Sequence, residues 1–242
     1  YDISSLEYVI HGAAPCPPEI KRQMIEWWGP IIHEYYGATE FGMVTRSDSH
    51  EWLERPGTTG KAWPGRIVEI HDDAGCKLPA GEVGEIYVSL GVLANFTYQN
   101  REEQRREIER SGLVTAGDMG YLDEDGYLFL TDRKRDMIIS GGVNIYPAEV
   151  EAAIGDHPKV LDCAVFGVPN EEFGETVAAA IQLLPGESAS AQEICAFLRE
   201  RIAGYKIPRV ITFPDQLPRD DAGKIRKREI RAPYWRDAAR NI

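Results

Sequence analysis

The spacing of apolar and polar residues changes rhythm twice along the chain. At the start, "SLEYVIHGAAP" carries a short apolar run that passes directly into small residues and proline, which reads as a buried strand entering a loop. "PPEIKRQMIEWWG" follows, with prolines at its first turn and Gly29 just past its last apolar residue, the start and stop signals of a helix. "IIHEYYG" is the next strand. From residue 55 to 132 the pattern becomes short strands and turns: "RIVEIHD", the turn "DDAGCKLPAG", "GEIYVSL" and "GYLDEDGYLFLTD". The "DEDG" between two aromatic-rich runs predicts a hairpin. One helix, "NREEQRREIERSG", interrupts this region, and its charge density predicts a solvated face.

From residue 136 strands and helices alternate again. "DMIIS" is a strand, "YPAEVEAAIGDHP" a helix with Pro147 in its first turn, and "VLDCAVFGV" and "TVAAAIQLL" are strands. Ser190 and Glu193 have capping-box spacing ahead of the next helix. "RVITF" is a last strand, and "PRDDAGKIRKREI" reads as a loop entering a basic tail. The expected fold is therefore α/β and α+β: the end of an α/β layer over 1–52, a β-rich subdomain over 53–134, and a small α+β domain over 135–242. The charged junction "TDRKRD" has no apolar anchor and marks the expected hinge. The first strand has no earlier element to pair with, so the chain reads as part of something longer.

Composition narrows the function. A net charge of -12 argues against broad nucleic-acid binding, which needs a basic surface to displace counterions. Any anionic ligand must be held by local cations. No apolar run approaches a membrane span, and the first residues lack a basic region followed by an apolar stretch, so neither a spanning helix nor a signal peptide is expected. Cys16, Cys76, Cys163 and Cys195 are scattered without C-x-x-C or paired His spacing, which argues against zinc and fits reduced thiols in a cytoplasmic protein. His11 and His33 read as packed or hydrogen-bonded structural residues. No G-x-S-x-G supports a serine hydrolase. "GTTGK" at 57–61 invites comparison with a phosphate loop, but a P-loop needs four residues between its glycines and a hydroxyl after its lysine. Only Thr58 and Thr59 separate these glycines, and Ala62 follows Lys61, so the stretch reads as a Gly/Pro-punctuated turn leading into a strand.

Four other stretches carry chemistry. "GAAPCPP" puts small residues after a strand, where a flat ligand can approach the backbone. "YYGATEFG" sets aromatics, a hydroxyl and a carboxylate around Gly37. Residues 115–151 hold Asp118, Arg133, Arg135 and the pair Gly141–Gly142, and "PRDDAGKIRKREI" carries Lys224 beside a glycine. Singly, each has an ordinary explanation: a core tyrosine, turn carboxylates, a solvated lysine.

In this order, the "YGxTE" pattern, the "GD…GY…DR…D…I…SGG" run and the late "GK" resemble the adenylate-forming superfamily, which includes acyl-CoA synthetases, peptide-synthetase adenylation domains and firefly luciferase. The likeness runs over essentially the whole chain and corresponds to the C-terminal half of those longer enzymes, with the 135–242 domain as their lid. It implies ATP, magnesium and CoA as cofactors and a carboxylic acid as substrate. By this resemblance Tyr36 would stack on adenine, with Gly12, Ala13 and Ala14 backing the base and Tyr35 and Gly37 beside it. Thr39 would donate to the α-phosphate and Glu40 would hold magnesium. Asp118 would accept from the ribose hydroxyls with Arg133 nearby, and Lys224 would neutralise charge where the acid attacks. Arg135 would be the hinge, where the family commonly has Asp or Lys. Gly141 and Gly142 would line the pantetheine tunnel, where any Cβ narrows the passage. The family's Ser/Thr/Gly-rich phosphate loop would lie upstream of Tyr1, so the fragment alone is expected to be inactive. Two alternatives stay open: an amino-acid-activating domain that loads a carrier protein, and a non-catalytic fragment that binds AMP. The resemblance points to a fatty or other bulky apolar acid, and a homo-oligomer is compatible with it.

Overall fold

Strand β1 (Val9–Gly12) pairs in parallel with β2 (Ile32–Ala38), and helix α1 (Pro18–Trp28) makes the crossover between them. Proline opens α1 and Gly29, at φ 84°, closes it. Its inner face buries Ile25 against Ile32 and Trp52. The same face buries Lys21, whose ammonium bonds to Glu34 of β2 and lies 4.9 Å from the Trp52 ring centroid. Burial pulls the Lys21 pKa down, and Glu34 opposes that pull. The computed structural model describes residues 2–14, 16–91, 95–221 and 223–236.

The first unit, Tyr1–Lys134, continues through β3 (Gly42–Ser47), α2 (Ser49–Glu54), β4 (Thr58–Ala62), β5 (Val68–His71), β6 (Gly84–Ser89), α3 (Glu102–Glu107), β7 (Glu109–Arg110), β8 (Leu113–Val114), β9 (Asp118–Leu122) and β10 (Tyr127–Arg133). Among the described residues these strands form one sheet in the order β1-β2-β3-β4-β10-β9-β6-β8-β7, with β5 on β6. The boundary expected at 52/53 thus falls inside a continuous sheet. Its main core gathers Tyr36, Phe41, Val44, Ile86, Val88 and Leu128. Helix α2 is entered through a full capping box, Asp48 accepting from the Glu51 amide and Glu51 from the Asp48 amide.

The second unit, Arg135–Ile242, contains β11 (Ile138–Ser140), β12 (Val143–Ile145), α4 (Pro147–Gly155), β13 (Val160–Asn170), β14 (Gly174–Leu183), α5 (Ala191–Arg199), β15 (Val210–Thr212) and α6 (Lys227–Trp235). Its sheet runs β12-β11-β14-β13, with β15 parallel to β14. One face of the β13–β14 hairpin packs Val165, Ala179 and Ile181 with Ile154 of α4 and Ile194 of α5. The other packs Phe166, Ala178 and Ala180 with Leu217 and with Ile230 and Tyr234 of α6. Coverage on both faces explains why "TVAAAIQLL" is an unbroken apolar run rather than an alternating one.

The α/β and α+β class holds, with three local corrections. From Thr58 onward "GTTGK" is itself strand β4, between β3 and β10, with Thr58, Thr59 and Gly60 buried. Gly60 is required there because a Cβ would lie 1.9 Å from Arg46 O. The charged helix is short and not wholly solvated, since Arg105 is only 7% exposed. The "basic tail" is helix α6, whose Ile230 and Tyr234 make an i,i+4 apolar pair masked by the surrounding arginines. Ser190 does cap α5 through the Glu193 amide, but the Glu193 carboxylate also takes Lys159 Nζ at 2.8 Å. Among the described residues no helix is long and apolar enough to cross a membrane.

Candidate functional site

Alternation along β2 sends neighbouring tyrosines to opposite faces. Tyr36 turns inward. Its ring is 6% exposed, with its centroid 6.0 Å from that of Phe41, and its hydroxyl donates to Asp118 Oδ2 at 2.9 Å. Asp118 opens β9 directly opposite Arg133 of β10, whose Nε lies 3.3 Å from Oδ1. The carboxylate is therefore oriented through both oxygens, by a neutral donor on one side and a cation on the other. Burial first, and the neighbouring Asp118 second, push the Tyr36 phenol far above its ordinary value, so it stays a donor. The stacking role expected of Tyr36 is not what this geometry offers, because a ring only 6% exposed and tilted against Phe41 presents little open surface to a base. Tyr35, half-buried on the other face, lies against Gly12: a Cβ there would be 2.6 Å from its Cε1. Ala13, at φ 66°, and Ala14 follow in exposed positions.

Between β2 and β3 the backbones approach so closely that a Cβ on Gly37 would meet Gly42 O at 2.3 Å. This tight turn presents Thr39, exposed, and Glu40, half-buried. Glu40 Oε1 accepts from the Tyr98 hydroxyl at 2.8 Å. Burial, followed by the Glu40 carboxylate, pushes the Tyr98 phenol up to about 12. Tyr98 stands edge-on to Phe96, their centroids 5.6 Å apart. The buried Arg105 donates to Phe96 O at 3.1 Å and to Asn95 Oδ1 at 2.9 Å, and stacks over the Phe96 ring. Neither Tyr98 nor Arg105 was singled out from sequence. The only available signal was an aromatic pair, "FTY", just ahead of a charged helix. Among the described residues no group of three or more His, Cys, Asp or Glu side chains could hold a metal. A single carboxylate fits a magnesium ion, which takes one or two carboxylates and completes its shell with phosphate and water.

The remaining expected residues lie in the second unit. Arg135 is exposed, its Nε 3.9 Å from Asp136 Oδ1, in a short 3-10 turn. Gly141 and Gly142 form the two-residue turn joining β11 to β12, at φ 58° and 82°, both in the left-handed region. A Cβ on Gly142 would meet nothing within 4 Å. Within this unit the requirement for glycine at position 142 is thus conformational rather than one of clearance, whereas a Cβ on Gly141 would also lie 3.1 Å from Phe173 Cδ1. Lys224 is exposed on a closed loop. Its amide donates to Asp220 Oδ1, its carbonyl accepts from the Asp220 amide, and Arg219 pairs across to Ile225. Arg219 also donates to Gly223 O at 2.8 Å. Asp220, which shapes this loop, is a third residue that sequence reading passed over. Tyr36, Asp118 and Arg133 are thus brought together, as are Thr39 and Glu40 on their turn. Lys224 and the glycine pair stand on two different loops of the second unit.

Comparison with known proteins places this geometry in context. Residues 1–94 match the model of the AMP-binding enzymes and residues 149–224 that of the AMP-binding enzyme C-terminal domain. The chain is 38% identical over 231 residues to a long-chain-fatty-acid–CoA ligase of Bacillus subtilis, covering 95% of this chain and 41% of the relative. The o-succinylbenzoate-CoA synthetase of Bacillus subtilis, solved with its acyl-adenylate intermediate, superposes with a TM-score of 0.86 at 33% identity, covering 93% of this chain and 46% of that one. An amide bond synthetase from Marinactinospora thermotolerans gives a TM-score of 0.88 at 33% identity, covering 96% and 48%. The chain spans less than half the length of the curated relative and of each solved structure.

Proposed function

The chain belongs to the AMP-binding enzymes, the adenylate-forming superfamily, and from that premise we propose that it is the C-terminal portion of an ATP-dependent carboxylate–CoA ligase. In this reading an acid and ATP give acyl-AMP and pyrophosphate, and CoA then gives acyl-CoA and AMP. The observation that carries it is Asp118, oriented by Tyr36 on one oxygen and Arg133 on the other. A carboxylate fixed in this way can accept from both hydroxyls of a ribose, the logic by which an acidic residue holds ribose in dinucleotide sites. Adenine would lie along Gly12, Ala13 and Ala14 beside Tyr35. Thr39 would donate to the α-phosphate and Glu40 would hold magnesium. When bound, the cation lowers the charge on the phosphates. Lys224 would neutralise negative charge as the acid attacks, a purely electrostatic contribution. Arg135 would be the pivot that exchanges Lys224 for the Gly141–Gly142 turn between the two half-reactions.

The acid we infer is fatty or otherwise bulky and apolar, in line with the name of the long-chain relative. Residues 1–242 alone would bind nucleotide without completing adenylation, since the longer relatives extend over more than twice the matched length. Calorimetric titration with AMP, alongside pyrophosphate release with a panel of acids, tests both points. Saturable AMP binding that Asp118→Asn abolishes is expected; binding unaffected by that change sinks the ribose assignment. A second reading, in which an amine takes the acyl group, is favoured by the amide bond synthetase match. Product analysis with CoA and with amines supplied in parallel separates the two.

A further inference from the structure

A carboxylate that holds a cation needs its orientation fixed before the cation arrives, and the surroundings of Glu40 supply such a device. We propose that Tyr98 is the positioning residue for Glu40: its hydroxyl takes Oε1 and thereby assigns Oε2 to the cation. The inference rests on the reading of Glu40 as the magnesium-holding residue. Three observations support it. The hydrogen bond is well formed, at 2.8 Å, and joins residues 58 apart in sequence, so it is a tertiary contact and not a local turn. The segment carrying Tyr98 has no regular secondary structure, yet it is pinned. Arg105 reaches back from α3 to Phe96 O and Asn95 Oδ1, with its guanidinium 4.6 Å from the Phe96 ring centroid, and Phe96 sets the edge of Tyr98. Finally, Arg105 is nearly fully buried, its charge balanced by Glu109 Oε2 2.7 Å from Nη1, and its other donors are directed at this segment rather than at solvent.

Partners that orient a metal-holding side chain from behind contribute about 10–100-fold to metal affinity. The test uses this chain with Mn²⁺ and ATP, bound manganese being read by electron paramagnetic resonance. Tyr98→Phe keeps the ring and its packing on Phe96 and removes only the donor. It is expected to weaken Mn²⁺–ATP binding by about 10-fold while the chain stays fully folded at the binding temperature, read by circular dichroism. Glu40→Gln should weaken binding further, and adding Tyr98→Phe to it should cost nothing more, because Tyr98 acts only through Glu40. Tyr98→Phe that binds like the unaltered chain, while Glu40→Gln does not, overturns this inference and leaves the proposed function standing. An equal Tyr98→Phe loss in the Glu40→Gln background also overturns it, by making Tyr98 a general structural support. If the unaltered chain takes up no Mn²⁺–ATP, or Glu40→Gln binds as well as it does, the reading of Glu40 falls and this inference with it.

Discussion

The two units prepare their candidate residues by different means. In Tyr1–Lys134 the polar groups are fixed by other side chains: Asp118 by Tyr36 and Arg133, Glu40 by Tyr98, and Tyr98 through Phe96 by Arg105. In Arg135–Ile242 the backbone does the work. Gly141 and Gly142 sit in a left-handed turn, and Lys224 rides on a loop held through its own main chain, its carbonyl accepting from the Asp220 amide and its amide donating to the Asp220 carboxylate. A site built from side-chain partners is set before ligand arrives. One displayed on exposed turns can be offered and withdrawn without disturbing the core beneath. The contrast suggests holding as the task of the first unit and presenting as that of the second.

The largest expected effect tests presentation. Grafted in place of the matching part of the Bacillus subtilis long-chain ligase, Lys224→Ala should slow acyl-adenylate formation by about 10²–10³-fold. Conversion of supplied acyl-adenylate to acyl-CoA should persist. Pyrophosphate release and thioester formation measure the two steps separately, and equal losses in both would break the contrast. Next comes Tyr36→Phe, which removes a bond to a charged, part-buried acceptor and should cost about 1.5–3 kcal/mol, read by chemical denaturation. The loss should be confined to the first unit; an equal shift in the second would show that the two do not stabilise separately. Smaller still, Gly142→Ala should destabilise the second unit by about 1–2 kcal/mol, the left-handed penalty for a residue with a Cβ, and Gly142→Asn by less. Equal costs for Ala and Asn would show that clearance, not backbone conformation, selects glycine there.

The smallest effect concerns the proposed pivot. Lys134, the last residue of the first unit, donates to Asp73 and Glu85 at 2.8 and 3.0 Å. Its hydrogen bond to Asp73 lowers the Asp73 pKa and raises that of Lys134. A lowered carboxylate pKa contributes stability that is present above the unfolded value and lost as pH falls through the folded one. A raised lysine pKa contributes below its unfolded value and is lost as pH rises through the folded one. This clasp should therefore hold across neutral pH, open as Asp73 protonates in acid, and open again at the alkaline end. Asp73→Asn should speed tryptic cutting at Arg133–Asp136 modestly at pH 7. First cuts elsewhere would remove the pivot from this junction.

Strands and helices were legible wherever periodicity was undisturbed. β2, β9, β10, β13 and β14 carry apolar spacing that broadly follows their burial, and turn residues mark the ends of α1 as well. But β1, read as buried, leaves Ile10 exposed, and α1 buries Lys21 while exposing Ile20 and Trp27. "GTTGK" misled because its glycine is explained by the neighbouring strand: the Cβ conflict is with Arg46, which no local pattern reveals. Helix α6 was hidden because Lys227, Arg228 and Arg231 surround the two side chains it packs into the core, Ile230 and Tyr234, both part-buried. The site residues were legible as motifs but their contacts were not. Tyr36 looks the same in sequence whether it stacks on a ligand or buries against Phe41, and only the fold brings Asp118 to its hydroxyl. Tyr98 lay beyond reach for the same reason, since a loop's destination is set by what the rest of the chain builds around it.

The buried Lys21–Glu34 pair has a consequence for how this sequence can drift over generations. Losing either partner strands a charge in the interior, at about 3–5 kcal/mol, whereas replacing both with apolar residues of similar volume is often neutral or better. Single steps at either position are therefore blocked, and the double step is open. In a set of descendants the two positions should change together or not at all, inherited as one character although they lie 13 residues apart on different elements.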